Sequence, residues 1–375
     1  MNQEKTLLKT ARKGEFSTRQ LCFFLAFLSP VSKLLQAPSM LAYYAKGDLL
    51  LPALIQYLLQ GGMLALLLFF CAKSEKSVFE LLREKVGVWA EKTALVLFSI
   101  YLVFFSLLPL LELERFVYTA FFDSAPGVYS FIPFFFLSAY LCCKSLKTFA
   151  RCCDLALPFF VLSFIGLLVL SVGEADFTRL MPLFELPAKS VGLGVMRSFL
   201  HFSDTSILLP LLGAYRYQKG DGKKVMLSFG VGGGCVLVFL AVFYGVFGAL
   251  APLKPYAFDK IAVYFGALDV VGRIDLLLVY TMTILLLFYY CLPLVLSTRL
   301  FTEAIGAKTT LPTSAVLNAG LFLIVVFFNR FYGILYSLLT TKLLFIFPLF
   351  SYLLPLLSLL LLIQNKKKRE VSYAK

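Results

Sequence analysis

The sequence predicts an all-α membrane protein of ten transmembrane helices, arranged as a five-plus-five inverted repeat with broken helices 1 and 6. Three observations predict this fold: the composition, the spacing of the apolar runs, and matching interruptions in two of those runs. Hydrophobic residues make up 60% of the 375 residues and charged residues 15%, with a mean hydropathy of +0.87. Soluble domains are closer to half apolar and a quarter charged, so we expect an integral membrane protein.

Ten apolar segments approach the roughly 20 residues that a helix needs to cross the hydrocarbon layer. They cover residues 20–45, 49–72, 91–113, 127–143, 153–172, 191–215, 225–251, 274–298, 312–329 and 342–364, numbered here as spans 1 to 10. With the N-terminus inside, 24 of the 35 Lys and Arg residues fall on inner segments and nine on outer segments. This positive-inside bias predicts that both termini are cytoplasmic. It also explains the net charge of +14 through membrane lipid, with no nucleic acid as a partner.

The spans divide into a first repeat over about 19–172 and a second over about 190–364, between a tail at 1–18 and a basic tail at 365–375. An odd number of spans in each repeat gives the two repeats opposite topology. Ser77 followed by Glu80 is a capping-box pattern, which predicts a short amphipathic helix on the cytoplasmic surface. The glycines at 230 and 232–234 predict close helix packing along span 7.

The two interruptions predict a binding site near the middle of the membrane. Span 1 contains Ser-Pro-Val-Ser-Lys at 29–33, and span 6 contains His-Phe-Ser-Asp-Thr-Ser at 201–206. Unwound backbone at membrane depth is tolerated only where protein or a watery cavity covers it. Paired breaks in corresponding spans are therefore the best sequence indication of a ligand or ion site in transporter-like proteins.

Each break carries one charge, Lys33 in span 1 and Asp204 in span 6, and the two should face each other where the spans cross. Lys33 could hold a ligand carboxylate, replace a coupling sodium, or be a structural partner of Asp204 or of unwound carbonyl groups. Asp204 could bind an amine, relay a proton or neutralise Lys33, because intramembrane charges are costly and mostly functional. The predicted ligand-binding residues are Ser29, Ser32, Lys33, Gln36, Tyr101, His201, Phe202, Ser203, Asp204 and Thr283.

Other polar groups give weaker predictions. Glu112 and Arg115 are three residues apart near the outer end of span 3 and are expected to pair on one helical face. A single histidine and the lack of nucleophile-elbow, zinc-protease or metal-cluster patterns predict no enzyme activity, no metal and no cofactor.

Several short stretches occur in an order and spacing typical of one family. They lie at 16–21, 112–116, 122–126, 144–146 with Arg151 and Pro158, 181–183, 199–204, and 273–275 with 300–301. The stretch Phe-Leu-His-Phe-Ser-Asp at 199–204 resembles a Phe-x-Phe-Gly/Ser-Glu break. On these stretches the chain resembles the endospore germination permeases, the B-type subunits of spore germinant receptors, within the amino acid–polyamine–organocation superfamily.

The resemblance implies a nutrient ligand, usually an amino acid, bound between spans 1 and 6 and triggering germination. It also implies an A-type membrane subunit and a C-type lipoprotein as partners, in the inner membrane of the spore. A stand-alone proton-coupled amino acid transporter, using Lys33, Asp204 or His201, shares the fold and stays open as an alternative.

Two positions depart from the family pattern. Span 1 has Pro30 and Lys33 where a glycine-rich break is usual, so a backbone donor is lost and a charge is added. Span 6 has Asp204 where the longer Glu is usual.

Overall fold

The computed structural model describes residues 16–74, 76–121, 127–264, 274–353, 355–357 and 360. Within these ranges the chain is helical apart from turns and one isolated bridge between Phe16 and Tyr215. The two predicted tails lie outside the described residues except for 16–18, as do the resemblance stretch at 122–126 and Arg273. The predicted all-α class is confirmed.

The described part of the first half of the chain, up to residue 180, contains eight α-helices, and three of them are short pieces around the first break. These helices are α1 Thr18–Phe23, continued by a π-helical turn Phe24–Leu28, α2 Ser29–Ser32, α3 Ala37–Ala45, α4 Leu50–Lys73, α5 Val78–Lys85, α6 Val88–Phe121, α7 Gly127–Cys142 and α8 Leu146–Val172. Short 3₁₀ segments follow at Lys46–Asp48 and Phe177–Leu180.

The second half contains another eight α-helices in its described part. These are α9 Ala188–Ser198, α10 Thr205–Gly213, α11 Asp221–Phe247, α12 Ala257–Tyr264, α13 Ile274–Ile305, α14 Leu311–Arg330, α15 Tyr332–Ser337 and α16 Ile346–Pro348. A 3₁₀ segment Gly248–Leu253 and two π-helical segments, Leu338–Lys342 and Leu349–Leu353, join them.

In the described part of the chain, six helices are long and apolar enough to cross a membrane, and up to eight spans result if each of two bent pairs is one span. The bent pairs are Thr18–Ser32 with Ala37–Asp48, at 63°, and Tyr332–Lys342 with Ile346–Leu357, at 58°. The protein is therefore a multi-pass membrane protein. The apolar helix α7 and the interrupted pair α9 and α10 occupy the two other segments that were predicted as spans, 4 and 6.

The bent pair that contains the predicted span 10 begins at Tyr332, ten residues before the predicted start at 342. Lys342 therefore lies inside an apolar helical stretch. The structure accommodates Lys342 at the end of a π-helical segment, immediately before the bend. A charge at a bend of this kind can reach the membrane surface more easily than one in a straight helix.

The capping-box prediction is confirmed, and the prediction of close packing is confirmed for Gly232 and Gly233 but not for Gly230 and Gly234, where an added Cβ meets nothing within 4 Å. Helix α5 begins with the capping box formed by Ser77 and Glu80, each side chain accepting a hydrogen bond from the other's backbone N–H. Gly232 lies where α11 crosses the π-helical turn of span 1, and an added Cβ would approach the Leu25 carbonyl oxygen to 2.3 Å. Only glycine permits this approach, which fixes the spacing of spans 1 and 7.

Helix α13 runs through the centre of the bundle, where it packs mainly on α6 and α8 and also contacts α2 and α10. It therefore meets both interrupted spans at the level of their breaks. The polar groups described next lie at this junction.

Candidate functional site

The interruption of span 1 comes immediately after Lys33. Helix α2 ends at Ser32, residues Lys33–Gln36 form a turn, and α3 begins at Ala37. The carbonyl oxygens of Leu34 and Leu35, freed by the break, accept the backbone N–H groups of Phe258 (3.3 Å) and Ala257 (2.8 Å) at the start of α12. Freed backbone groups in the first break are thus paired by a helix of the second half of the chain.

The interruption of span 6 lies between Ser198, where α9 ends, and Thr205, where α10 begins. Side chains from other spans hold its freed carbonyl groups. Gln60 of α4 donates its Nε2–H to the Phe202 carbonyl, and Ser351 Oγ donates to the Ser203 carbonyl at 3.3 Å. Gln60 is 1% exposed, so the sequence prediction missed a buried polar residue whose partner is unwound backbone.

Lys33 and Asp204 form an ion pair that joins the two breaks. Lys33 is 0% exposed and Asp204 2% exposed. The Lys33 ammonium donates to Asp204 Oδ2, to the Ser29 carbonyl at 3.0 Å and to Ser29 Oγ at 3.1 Å. The juxtaposition predicted from the crossing of spans 1 and 6 is confirmed, and the three donors of the ammonium are all used.

Asp204 is also fully engaged. Its Oδ2 accepts from the Ser29 hydroxyl as well as from Lys33, and its Oδ1 accepts from the hydroxyl of Tyr289 in α13. Tyr289 was missed because it is one of 19 tyrosines and lies in an unbroken apolar run. Nothing in its sequence environment distinguishes it from Tyr290, and only the packing of α13 against both breaks reveals its role.

Aromatic rings and hydroxyl groups surround this pair. The Phe202 ring centroid lies 5.5 Å from Lys33 Nζ, and the Tyr57 ring packs edge-on against Phe202 at 5.5 Å. On the other side, Tyr101 donates to Ser206 Oγ at 3.1 Å, and Ser206 donates to the Ser203 carbonyl at 2.6 Å. These contacts bury the pair, so the site is a closed junction of low dielectric constant.

The remaining predicted residues are distributed unequally around this junction. Ser32 Oγ donates to the Ser29 carbonyl at 2.8 Å, and Ser203 Oγ donates to the Phe199 carbonyl. Among the described residues, Gln36 by contrast bonds only through its backbone carbonyl, which accepts from Ser39 and Met40.

Two predicted residues take no part in the network. The imidazole of His201 forms no hydrogen bond with any described residue. Thr283 Oγ1 donates to the Val279 carbonyl of its own helix at 2.7 Å. The structure therefore joins Ser29, Ser32, Lys33, Phe202, Ser203, Asp204 and Tyr101 but leaves Gln36, His201 and Thr283 outside their hydrogen bonds.

The predicted pair between Glu112 and Arg115 is wrong. The Arg115 guanidinium instead lies 3.9 Å above the Tyr332 ring and donates to the Asn329 carbonyl at 3.1 Å. Stacking on an aromatic ring leaves a weakly hydrated guanidinium in apolar surroundings at little cost. For Arg115, the contact with Tyr332 at the start of α15 is therefore more favourable than an ion pair with Glu112 within α6.

The geometry limits the chemistry of the junction. All three donors of Lys33 and both carboxylate oxygens of Asp204 are already bonded within the described residues, and separating the pair would leave two buried charges, each costing several kcal/mol. A ligand that replaced only one partner would leave the other unpaired. A ligand carrying both an anion and a cation could replace both partners and keep the site neutral.

Comparison with known protein families gives a match. The family described as spore germination protein matches residues 17–332, which include both breaks, the ion pair and α13. Comparison with curated proteins gives no significant match. The family match extends over most of the chain, and we conclude that this chain belongs to the spore germination protein family.

Proposed function

We propose that the protein is the permease-like, nutrient-sensing subunit of a spore germinant receptor, and that it binds a small nutrient between spans 1 and 6. The family supports a germination role, and the buried ion pair between Lys33 and Asp204 carries the ligand-site proposal. The pair lies where two interrupted helices meet, which is where transporters of this architecture place their ligands.

An amino acid fits the chemistry of the pair. Its carboxylate would take the place of Asp204 beside Lys33, and its ammonium would take the place of Lys33 beside Asp204. One internal ion pair is then exchanged for two external ones, with no buried charge left unpaired. Phe202 would lie against the ligand, since it already lies 5.5 Å from the Lys33 ammonium.

The wider proposal follows the family. Ten spans form two inverted repeats with both termini in the cytoplasm, in the inner membrane of the spore. The ligand acts by preferring one of two conformations, and an A-type membrane subunit and a C-type lipoprotein receive the change.

Ligand-induced stabilisation of the purified chain tests the site. Unfolding midpoints would be measured with L-alanine, with its amine-only analogue ethylamine and with its acid-only analogue propionate. We expect a zwitterion, from a panel of amino acids beginning with L-alanine, to raise the midpoint by several degrees while ethylamine and propionate do not. Lys33→Met and Asp204→Asn should each abolish the shift, and Thr283→Val, outside the network, should keep it. A zwitterion that binds both site variants as tightly as the wild type would place the ligand elsewhere.

A proton-coupled amino acid transporter is the second candidate. The observation that favours it is the pair of titratable residues, Lys33 and Asp204, at the crossing of two broken helices. Uptake of labelled amino acid into vesicles that contain this chain alone, driven by an inward proton gradient, would establish transport. Ligand binding without uptake would support the receptor.

A further inference from the structure

A narrow apolar groove lies between spans 1, 5 and 8, on the predicted cytoplasmic half of the molecule. It is a shallow surface groove, with about 400 Å³ of space when the open solvent at its mouth is included. Its walls include Phe23 and Phe27 of span 1, Phe149, Ala150 and Leu157 of α8, and Leu285 of α13. The groove lies outside the Lys33–Asp204 junction.

The side of α8 next to the groove is directed outward from the bundle. Leu155, Phe159 and Leu162 are 75%, 60% and 74% exposed, and α8 is one of the two least buried of the six long apolar helices. In a membrane protein such a face contacts lipid. Leu157 and Phe27 are half-buried, at the edge between this face and the groove. The groove therefore opens to hydrocarbon, so an acyl chain is its available occupant.

The mouth of the groove carries a surplus of positive charge. Arg19, whose side chain is 67% exposed, pairs with Asp154 at 2.6 Å and lies 5.5 Å over the Phe23 ring. Lys147 and Arg151 are both exposed and lie two turns and one turn from Asp154 along α8. Together with Arg19, the start of α8 therefore brings three cations and one acid to this end of the groove's lining helix. This arrangement suits the phosphate of an anionic lipid.

We propose that this groove binds an anionic phospholipid, with one acyl chain between spans 1 and 5 and the phosphate against Arg19, Lys147 and Arg151. The lipid comes from the leaflet on the predicted cytoplasmic side. The binding site does not depend on a nutrient ligand, so it stands whether or not the proposed function is correct.

The groove is directly connected to the first break. Phe27 belongs to the π-helical turn Phe24–Leu28. Ser29 follows this turn directly, and its hydroxyl group hydrogen-bonds to both Lys33 and Asp204. The Phe27 ring also packs edge-on against Phe160 of α8, with 6.5 Å between the centroids. A chain in the groove fills the space between these helices, so it holds the inner half of span 1 beside span 5.

Lipid retention by the delipidated full-length chain tests the proposal. Native mass spectrometry would count bound dioleoyl phosphatidylglycerol and dioleoyl phosphatidylcholine, and thermal unfolding would be followed with each lipid and with glycerol phosphate alone. Leu157→Trp fills the groove, and Leu162→Trp is the matched control on the lipid face of the same helix. A second variant, Lys147→Gln with Arg151→Gln, removes two exposed charges without touching the core.

We expect at least fivefold better retention of phosphatidylglycerol than of phosphatidylcholine by the wild type and the Leu162→Trp control. Leu157→Trp should lose this lipid, and the charge variant should lose the preference for it. Equal retention by Leu157→Trp and Leu162→Trp would overturn the groove as the site. Equal stabilisation by glycerol phosphate alone, or an unchanged preference in the charge variant, would overturn the lipid assignment.

Discussion

Lys33 and Asp204 are separated by 171 positions in the chain and form a buried ion pair. The pair joins two helix breaks, since Lys33 is the residue after α2 and Asp204 is the residue before α10. Like a zwitterionic ligand, the pair consists of one ammonium group and one carboxylate group. This relationship gives the site its most direct tests.

Neutralising one partner of the pair should be far more damaging than neutralising both. We expect Lys33→Met or Asp204→Asn alone to lower the free energy of unfolding by about 3–5 kcal/mol, because each leaves a buried charge without its partner. The double variant should recover most of this loss. Chemical unfolding of all four proteins in one detergent gives the coupling energy, and additive losses would show that the pair is not coupled in the folded state.

Tyr289→Phe should destabilise the protein through Asp204. The substitution removes the hydroxyl that donates to Asp204 Oδ1, and an unsatisfied buried acceptor costs about 1–3 kcal/mol. Tyr290→Phe is the matched control, because the Tyr290 hydroxyl donates to no described residue and Tyr290 is 3% exposed. The two unfolding midpoints should differ by several degrees, and equal midpoints would remove Tyr289 from the site.

Gly232→Ala should force spans 1 and 7 apart. The added methyl group would meet the Leu25 carbonyl oxygen at 2.3 Å and Pro30 Cγ at 2.8 Å, and overpacking of this kind costs about 1–3 kcal/mol. At Gly230, in the same helix, an added Cβ meets nothing within 4 Å. Gly230→Ala should therefore be neutral or stabilising by up to about 1 kcal/mol, and thermal unfolding of the two variants compares them.

Asp221 should anchor the start of span 1 more strongly than Asp154 does. Asp221 is 4% exposed, and its Oδ2 accepts from Thr18 Oγ1 and the Gln218 N–H, both at 2.9 Å, and from the Tyr215 hydroxyl. We expect Asp221→Ala to cost about 1.5–3 kcal/mol, as hydrogen bonds to a charged group do. Asp154→Ala breaks an ion pair whose arginine is 67% exposed and should cost less than about 1 kcal/mol.

Limited proteolysis provides a second measurement for these two variants. Cleavage near residues 16–19 should accelerate in Asp221→Ala and stay near the wild-type rate in Asp154→Ala. The reverse order would show that the exposed pair, and not Asp221, holds this segment.

The predictable parts of the site are the charged and polar residues that lie inside otherwise apolar runs. A lysine and an aspartate inside apolar runs are costly enough that their positions alone predicted both a site and their mutual contact. The helix breaks were predictable for the same reason, since proline and short polar residues interrupt an otherwise continuous apolar pattern.

The parts that were not predictable depend on tertiary packing. Tyr289 and Gln60 reach the breaks only because α13 and α4 pass beside them, and periodicity cannot show which face of a wholly apolar helix meets a given neighbour. Arg115 was predicted by local spacing to pair within α6, but the Tyr332 ring from a distant segment offers the better environment. The bend that follows Lys342 likewise has no signal in the local sequence pattern.

The backbone of the first break is hydrogen-bonded to the short helix α12. The carbonyl groups of Leu34 and Leu35 depend on the first N–H groups of α12, on the side of the molecule predicted to face outward. A conformational change that moved α12 alone would break these two hydrogen bonds. The two carbonyl groups would then lack a donor inside the membrane. Helix α12 and the outer half of span 1 must therefore travel as one rigid unit, and a cross-link between them should leave function intact.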